Sequence, residues 1–353
     1  MDEYVGSKNP RENAVLFGQN EAEQSLLDAS NGKRLHHSLL LTGPKGIGKA
    51  TLAFRLARHL LKPDEEDGLF GAPEPPKSLD MPEDDPVFRK VAAGSHPSLK
   101  VLERRRHPET GKVPRDIAVA DVRGLSEFYR MTSADGNWRV AIIDAADDMN
   151  VNSANALLKI LEEPPERSII ILIAHAPGRL LPTILSRCHK VSLNTLRTDE
   201  LSEALGALQL YPEENDLPLL LLLSEGSVGA AANILQIDGL ELYREVEKII
   251  ATPWSGLNKE MDAFCDRLAK NGQDEIYEMF VSFFERALSQ KVLATVRAGN
   301  LPIPGGELDR WLEVWEKVRT LFVQAKGLGL DRKHTILNAF LHVNDTNQGP
   351  SAR

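Results

Sequence analysis

The apolar run Ser38–Thr42 (SLLLT) leads directly into Gly43-Pro44-Lys45-Gly46-Ile47-Gly48-Lys49-Ala50-Thr51, and no other junction in the chain restricts the fold as strongly. An apolar run closed by Gly-Pro reads as a buried strand. Beyond the glycines, Leu52, Leu56 and Leu60 recur four apart, which predicts a helix over Thr51–Lys62. The loop nearly matches the phosphate-binding pattern G-x-x-x-x-G-K-[ST]. In that pattern Gly43, Gly46 and Gly48 let backbone N–H groups converge on phosphate oxygens, Lys49 reaches the β- and γ-phosphates, and the helix N-terminus adds its positive dipole end. ATP is therefore a candidate cofactor. The residue after the lysine is Ala50, however, so the hydroxyl that holds Mg²⁺ is missing. Thr51 lies one residue on, about 100° around the helix, from where it could still assist at the α-phosphate.

Four further apolar runs read as strands: Leu99–Glu103, Trp138–Asp144, Ser168–Ala174 and His189–Leu193. Between the second and third, Ala154, Leu157, Leu158 and Leu161 share one helical face, and Pro164-Pro165 ends that helix. Near-continuous apolar strands alternating with helices predict an α/β domain with a parallel sheet covered on both faces. After Leu193 the strand signal stops. Helices are expected over Thr198–Leu208 and Leu217–Gln236, and around Leu242/Val246/Ile249, Ile276/Phe280/Phe283 and Trp311/Trp315/Val318/Phe322. The segment Gly299–Glu307 reads as a loop, and the tail after Val343 is expected to fray.

At 353 residues the chain has room for two or three domains. Its net charge of −9 argues against a surface that coats nucleic acid or an anionic membrane. Nine acidic residues and six prolines crowd into Pro63–Pro86, which reads as an exposed insertion. Arg104-Arg105-Arg106-His107 and Arg115 form a local basic run that could meet phosphates or be a solvated turn beside that insertion. Two distant cysteines, Cys188 and Cys265, exclude a disulfide framework and a four-cysteine zinc site, and point to a reduced cytoplasm. The polar start is unlike a signal peptide, and the longest apolar run, Leu217–Leu223, is too short for a membrane span.

Two more stretches carry chemistry. Val140–Asp144 is an apolar strand ending in a carboxylate, where a P-loop ATPase places the group that coordinates Mg²⁺ through water. The general base that should follow is replaced by Ala145. Asp147 and Asp148 lie close by and are expected as exposed carboxylates starting a turn. Arg187, in Leu185-Ser186-Arg187-Cys188, is either a surface ion-pair residue or an arginine finger for the γ-phosphate of a neighbouring subunit. Cys188 reads as a small packed residue.

Together, LFGQNEA (Leu16–Ala22), RLHHSLLLTG (Arg34–Gly43), HPSL (His96–Leu99) and above all NALLKILEEPPERSIIILIAHAPGRLLPTILSRC (Asn155–Cys188) closely resemble the clamp-loader branch of the AAA+ ATPases, over residues 14–195. The resemblance implies a RecA-like AAA+ core at 1–193, with 63–97 as an acidic, Pro-rich insertion in place of a zinc module. It further implies a small helical lid at 194–238 and an all-α collar at 239–353 that assembles a five-subunit ring. Implied partners are gamma/tau and delta subunits, with the sliding clamp and primer-template DNA met through the complex, and Arg187 becomes the finger. The same resemblance marks departures. A motor subunit has Thr or Ser at Ala50, Glu at Ala145, an arginine at Gly229 in the lid motif G-S-x-R-x-A, and a Thr pair at Ala174 and His175. The cis machinery is altered while Arg187 is kept, which is the pattern of a non-hydrolysing stator. The alternative is an active motor with Asp147 or Asp148 as substitute base. No metal is expected. Trp311 and Trp315 are expected in the collar core or at its interface.

Overall fold

The computed structural model describes residues 9–63, 75–104, 114, 116–130, 138–253, 259–270, 272–298 and 306–347. The chain divides into two compact units, residues 1–233 and 234–353. The first unit opens with α1 (Asn20–Asn31), β1 (Ser38–Thr42), α2 (Lys49–Leu61), α3 (Pro86–Ala92) and β2 (Leu99–Glu103). It continues through α4 (Val119–Arg130), β3 (Arg139–Asp144), α5 (Val151–Glu162), β4 (Ser168–Ala174), α6 (Pro182–Leu185) and β5 (His189–Ser192). Then come α7 (Thr198–Ala207), α8 (Leu217–Ser224) and the start of α9 (Val228–Gln236).

The strands form one parallel five-stranded sheet in the order β2-β3-β4-β1-β5, with Leu40 opposite Leu172 of β4 and Lys190 of β5. This is the parallel sheet that the alternation of apolar strands and helices predicts. Successive side chains of a strand point to opposite faces, so each apolar run feeds two cores. Leu39, Leu41, Val140, Ile142 and Ile171 join Leu52, Phe54 and Leu56 of α2 on one face. Leu40, Ala141, Ile143, Ile170 and Leu172 join Leu125 of α4 and Leu157 and Leu161 of α5 on the other. Helix α5 is capped by Asn150, whose side chain accepts from the Ser153 amide at 3.0 Å. Helix α4 is a helix that the strand count passes over, although Val122, Leu125 and Tyr129 are buried at i, i+3 and i+7.

The described part of the acidic stretch is mostly exposed, as expected, but it is anchored at particular points. Residues 64–74 lie outside the described residues. Leu79 is buried, Asp80 pairs with Arg55 of α2 at 2.6 Å, and Pro86 starts α3 instead of breaking structure. Pro at the first helical position loses no hydrogen bond, and Asp85 accepts from the Val87 amide at 2.7 Å. Charge and proline content alone could not reveal these partners.

The second unit holds the end of α9 and α10 (Gly239–Ala251), α11 (Lys259–Ala269), α12 (Asp274–Arg297), α13 (Glu307–Leu328) and α14 (Arg332–Asn347). Its centre is an aromatic cluster in which Phe280 and Phe284 meet the Phe322 ring edge-on, at 6.2 and 6.0 Å. Trp311 is buried, and the Trp315 indole donates to Ser289 Oγ at 3.0 Å, so both side chains serve the interior of this unit. The tail does not fray at Val343. Helix α14 runs on to Asn347, Asn344 is buried, and Asn347 Nδ2 donates to the Ile250 carbonyl at 3.0 Å.

Candidate functional site

The C-terminal ends of parallel strands are where an open α/β sheet leaves a crevice. Here the ends of β1, β3 and β4, with segments before and after the sheet, enclose a cavity of about 410 Å³. Gly46, Gly48, Lys49, Thr51 and Asp144 line it, as do Ala50, Ala145, His175 and Gly229. Residues from four separate stretches of sequence thus meet in one place. Gly43 is not among the lining residues and contributes through its carbonyl instead.

The loop between β1 and α2 is a phosphate cradle in shape. Gly48 has φ +99° and is the left-handed N-cap of α2, a conformation that side-chain-bearing residues rarely adopt. A Cβ there would come within 2.6 Å of Leu16 Cδ1. Lys49 is only 3 % exposed, and its ammonium donates to Gly43 O at 2.6 Å and to Pro44 O. Burial pushes its pKa down to about 8, against the opposing pull of the Asp144 and Asp147 carboxylates. A buried ammonium that donates to two loop carbonyls at the N-terminus of α2 fits an anionic phosphate. Mg²⁺ fits less well, since Ala50 offers no oxygen ligand.

Asp147 is not the exposed carboxylate that its position past the strand predicts. It is buried, and its two oxygens accept from the His175 and Ala176 amides at 3.1 and 2.9 Å. It thereby staples the end of β3 to the end of β4. Asp148 pairs with Arg104 Nε at 2.8 Å. Arg104 also lines this cavity; Arg105, Arg106, His107 and Arg115 lie outside the described residues.

The cavity's apolar end is where the sequence reading falls short. Val15, Leu16, Phe17, Leu208, Val228 and Ala232 all line it, an environment suited to a planar base. The N-terminal segment is placed by two buried arginines of α2. Arg55 donates to Ala14 O, and Arg58 donates to Asn13 O at 2.8 Å and to Arg11 O at 3.3 Å. The only signal was LFGQNEA, whose apolar start is too short to register as an element.

Arg187 does not line this cavity. It follows α6, 36 % exposed, donates to Thr183 O at 3.0 Å and pairs with Glu162 Oε1 at 2.9 Å. Burial pushes the Cys188 thiol up to about 11, as it does Cys265, which leaves neither a ready nucleophile. Among the described residues no group of His, Cys, Asp and Glu side chains could hold a metal ion, and no helix is long and apolar enough to cross a membrane.

The family model described as "DNA polymerase III, delta subunit" matches residues 18–197. The delta-prime subunit of DNA polymerase III from Pseudomonas aeruginosa is 41 % identical over 167 residues, covering 47 % of this chain and 46 % of that one. Its Bacillus subtilis counterpart is 31 % identical over 172 residues, 49 % of this chain and 46 % of that one. The tau subunit of Escherichia coli is 29 % identical over 233 residues, 64 % of this chain and 32 % of tau. The chain spans about half the length of the delta-prime relatives it matches.

Proposed function

The chain belongs to the DNA polymerase III delta-subunit family, and on that footing we propose that it is the non-catalytic, delta-prime-type stator of a sliding-clamp loader. In this role it supports ATP-driven loading of the clamp onto primed DNA, in a ring with gamma/tau and delta subunits in the cytoplasm. Residues 194–238 serve as lid and 239–353 as collar. One observation supports the reading: Ala50, Ala145 and Gly229 line the cavity, the positions at which the resemblance gives a hydrolysing subunit a metal ligand, a base and a cation, while Arg187 stands outside it, partly exposed.

The chemistry follows. A nucleotide in this chain's cavity would rest its phosphates on Gly46, Gly48 and Lys49 and the N-terminus of α2, with Asp144 and Thr51 beside them. It would then persist, because Ala145 offers no carboxylate to polarise a water. Arg187 instead stabilises charge on the γ-phosphoryl group in a neighbour's site, an effect worth roughly 10³–10⁵ in rate. Its partner Glu162 is no obstacle. An exposed ion pair contributes about 0–1 kcal/mol, far less than a guanidinium gains on a desolvated triphosphate.

The motor alternative needs Asp147 or Asp148 as a base. The two backbone amides on Asp147 and the Arg104 pair on Asp148 support a structural role for both. Measuring ATP turnover of the purified chain tests the reading: none is expected, and a rate near 1 s⁻¹, low for an enzyme, would overturn it. In the assembled loader, Arg187→Ala should leave assembly intact and cut DNA-stimulated hydrolysis. Full activity of that complex would dismiss the finger.

A further inference from the structure

Every carbonyl from Gly43 to Ile47 has a donor, and three of the donors come from outside the loop. Lys49 serves Gly43 O and Pro44 O. Ser227 Oγ donates to Lys45 O at 2.8 Å, the Gly229 amide to Gly46 O at 3.0 Å, and Gln19 Nε2 to Ile47 O at 3.2 Å. The same Gln19 amide group also donates to Asn194 O at 2.8 Å, and Gln19 is buried.

We propose that Gln19, Ser227 and Gly229 are positioning residues of the nucleotide site, tying the outward carbonyls of the phosphate loop to the lid so that loop and lid move as one block without nucleotide. The proposal rests on the reading of the cavity as a nucleotide site. Its physical basis is the peptide plane. These peptides are trans, and in a trans peptide the C=O of one residue and the N–H of the next point in opposite directions. Fixing the carbonyls of Lys45, Gly46 and Ile47 toward Ser227, Gly229 and Gln19 therefore turns the amides of Gly46, Ile47 and Gly48 the other way, in one row. Such a row of amides is an anion-binding nest. A loop with Gly46 at φ +79° and Gly48 at φ +99° can turn its peptides at little cost, so external ties are what hold the row.

The ties act on the lid as well. Gly229 lies in the first turn of α9, whose amides have no acceptor within the helix, and Gly46 O supplies one. Ser227 Oγ donates to the loop while it accepts from the Ala230 amide at 3.1 Å, capping the same helix. The hinge is close-fitted too. The Leu196 amide donates to Gly226 O at 2.9 Å, and a Cβ on Gly226 would come within 2.5 Å of Leu196 O. Since Gly229 has no side chain to follow a phosphate, nucleotide has little leverage on a lid already bonded to the loop. That is a stator's requirement, a fixed arm beside moving neighbours.

Single-amide hydrogen exchange on the full chain tests this. The Gly229 amide should be protected without nucleotide, and ADP should leave the protection of α9 unchanged. Ser227→Asp keeps an acceptor for Ala230 and removes the donor to Lys45, which separates the tie from the helix cap. Exchange at Gly46–Gly48 and Gly229 should then rise about tenfold, as for one lost hydrogen bond, with Ala230 still protected, and Ser227→Thr should restore the parent pattern. Gln19→Ala, which adds no charge, should weaken ADP binding in metal-free buffer about tenfold. A Gly229 amide that exchanges like an exposed first-turn amide, or loop amides indifferent to Ser227→Asp, would overturn the proposal. If the parent chain binds no ADP while the exchange pattern holds, nucleotide leaves the reading and the tie stands.

Discussion

Lys49 offers the sharpest test of the site, because its burial has a thermodynamic consequence of known sign. Its folded pKa, about 8, lies below its ordinary 10.5, and desolvation of the ammonium is the main cause. The depression amounts to about 3 kcal/mol at roughly 1.4 kcal/mol per pH unit. Between the two pKa values the unfolded chain binds the proton and the folded chain does not, so stability rises with pH across that window. Below pH 8 both states are charged, and the full desolvation cost is present. Linkage then predicts that Lys49 ceases to oppose folding by about 2.5 kcal/mol between pH 7 and pH 10. Other lysines and tyrosines titrate in this range, so the quantity to read is the difference from Lys49→Met, which keeps the chain's length and removes the charge. Lost contacts of the ammonium with Gly43 O and Pro44 O set the size of that difference at any one pH, whereas its slope comes from proton linkage alone. Urea unfolding, followed through exchange of the β1 and β4 amides, reads the first unit by itself. A gap between the two proteins that stays constant from pH 7 to pH 10 would refute a desolvated Lys49. Bound phosphate should reverse the depression, so ADP binding should take up a proton above pH 8 and weaken as pH rises.

Two further outcomes test packing and backbone. Phe284→Ala removes a fully buried ring that touches Phe280, Phe322 and Phe340. It should cost the second unit about 3–5 kcal/mol, read from Trp315 fluorescence in urea; a loss below about 1 kcal/mol would contradict close packing there. Gly48→Ala forces a side chain onto φ +99° beside Leu16. It should cost the first unit roughly 1–2 kcal/mol and abolish ADP binding, so unchanged calorimetric titration would count against the cradle.

The strands and the large helices were legible because their signals are local. SLLLT, RVAIID and SIIILIA are apolar between their end residues, as strands buried on both faces must be, and each lies in the sheet. Ala50, Ala145 and Gly229 were legible for another reason: a missing hydroxyl, carboxylate or guanidinium is visible in one dimension, wherever the backbone goes. Failures came where charged or irregular residues find a partner far away in the sequence. Asp147 read as solvent-facing and is buried on two backbone amides, while Arg104 and the exposed Asp80 each form an ion pair that the sequence does not show. The tail past Val343 looked loose because Asn344 and Asn347 carry no apolar signal, yet one is buried and the other bonded to Ile250.

Sequence alone settled which chemical groups this chain owns and which it lacks, since those depend only on side-chain identity at each position. Their partners were decided by the fold. Ser227 meets Lys45, Gln19 meets Ile47, and Asp147 meets the amides of His175 and Ala176 only once the sheet has closed. The reason is that a buried polar group must find a hydrogen-bond partner. Which one it finds depends on strand order and helix placement, not on its neighbours along the chain.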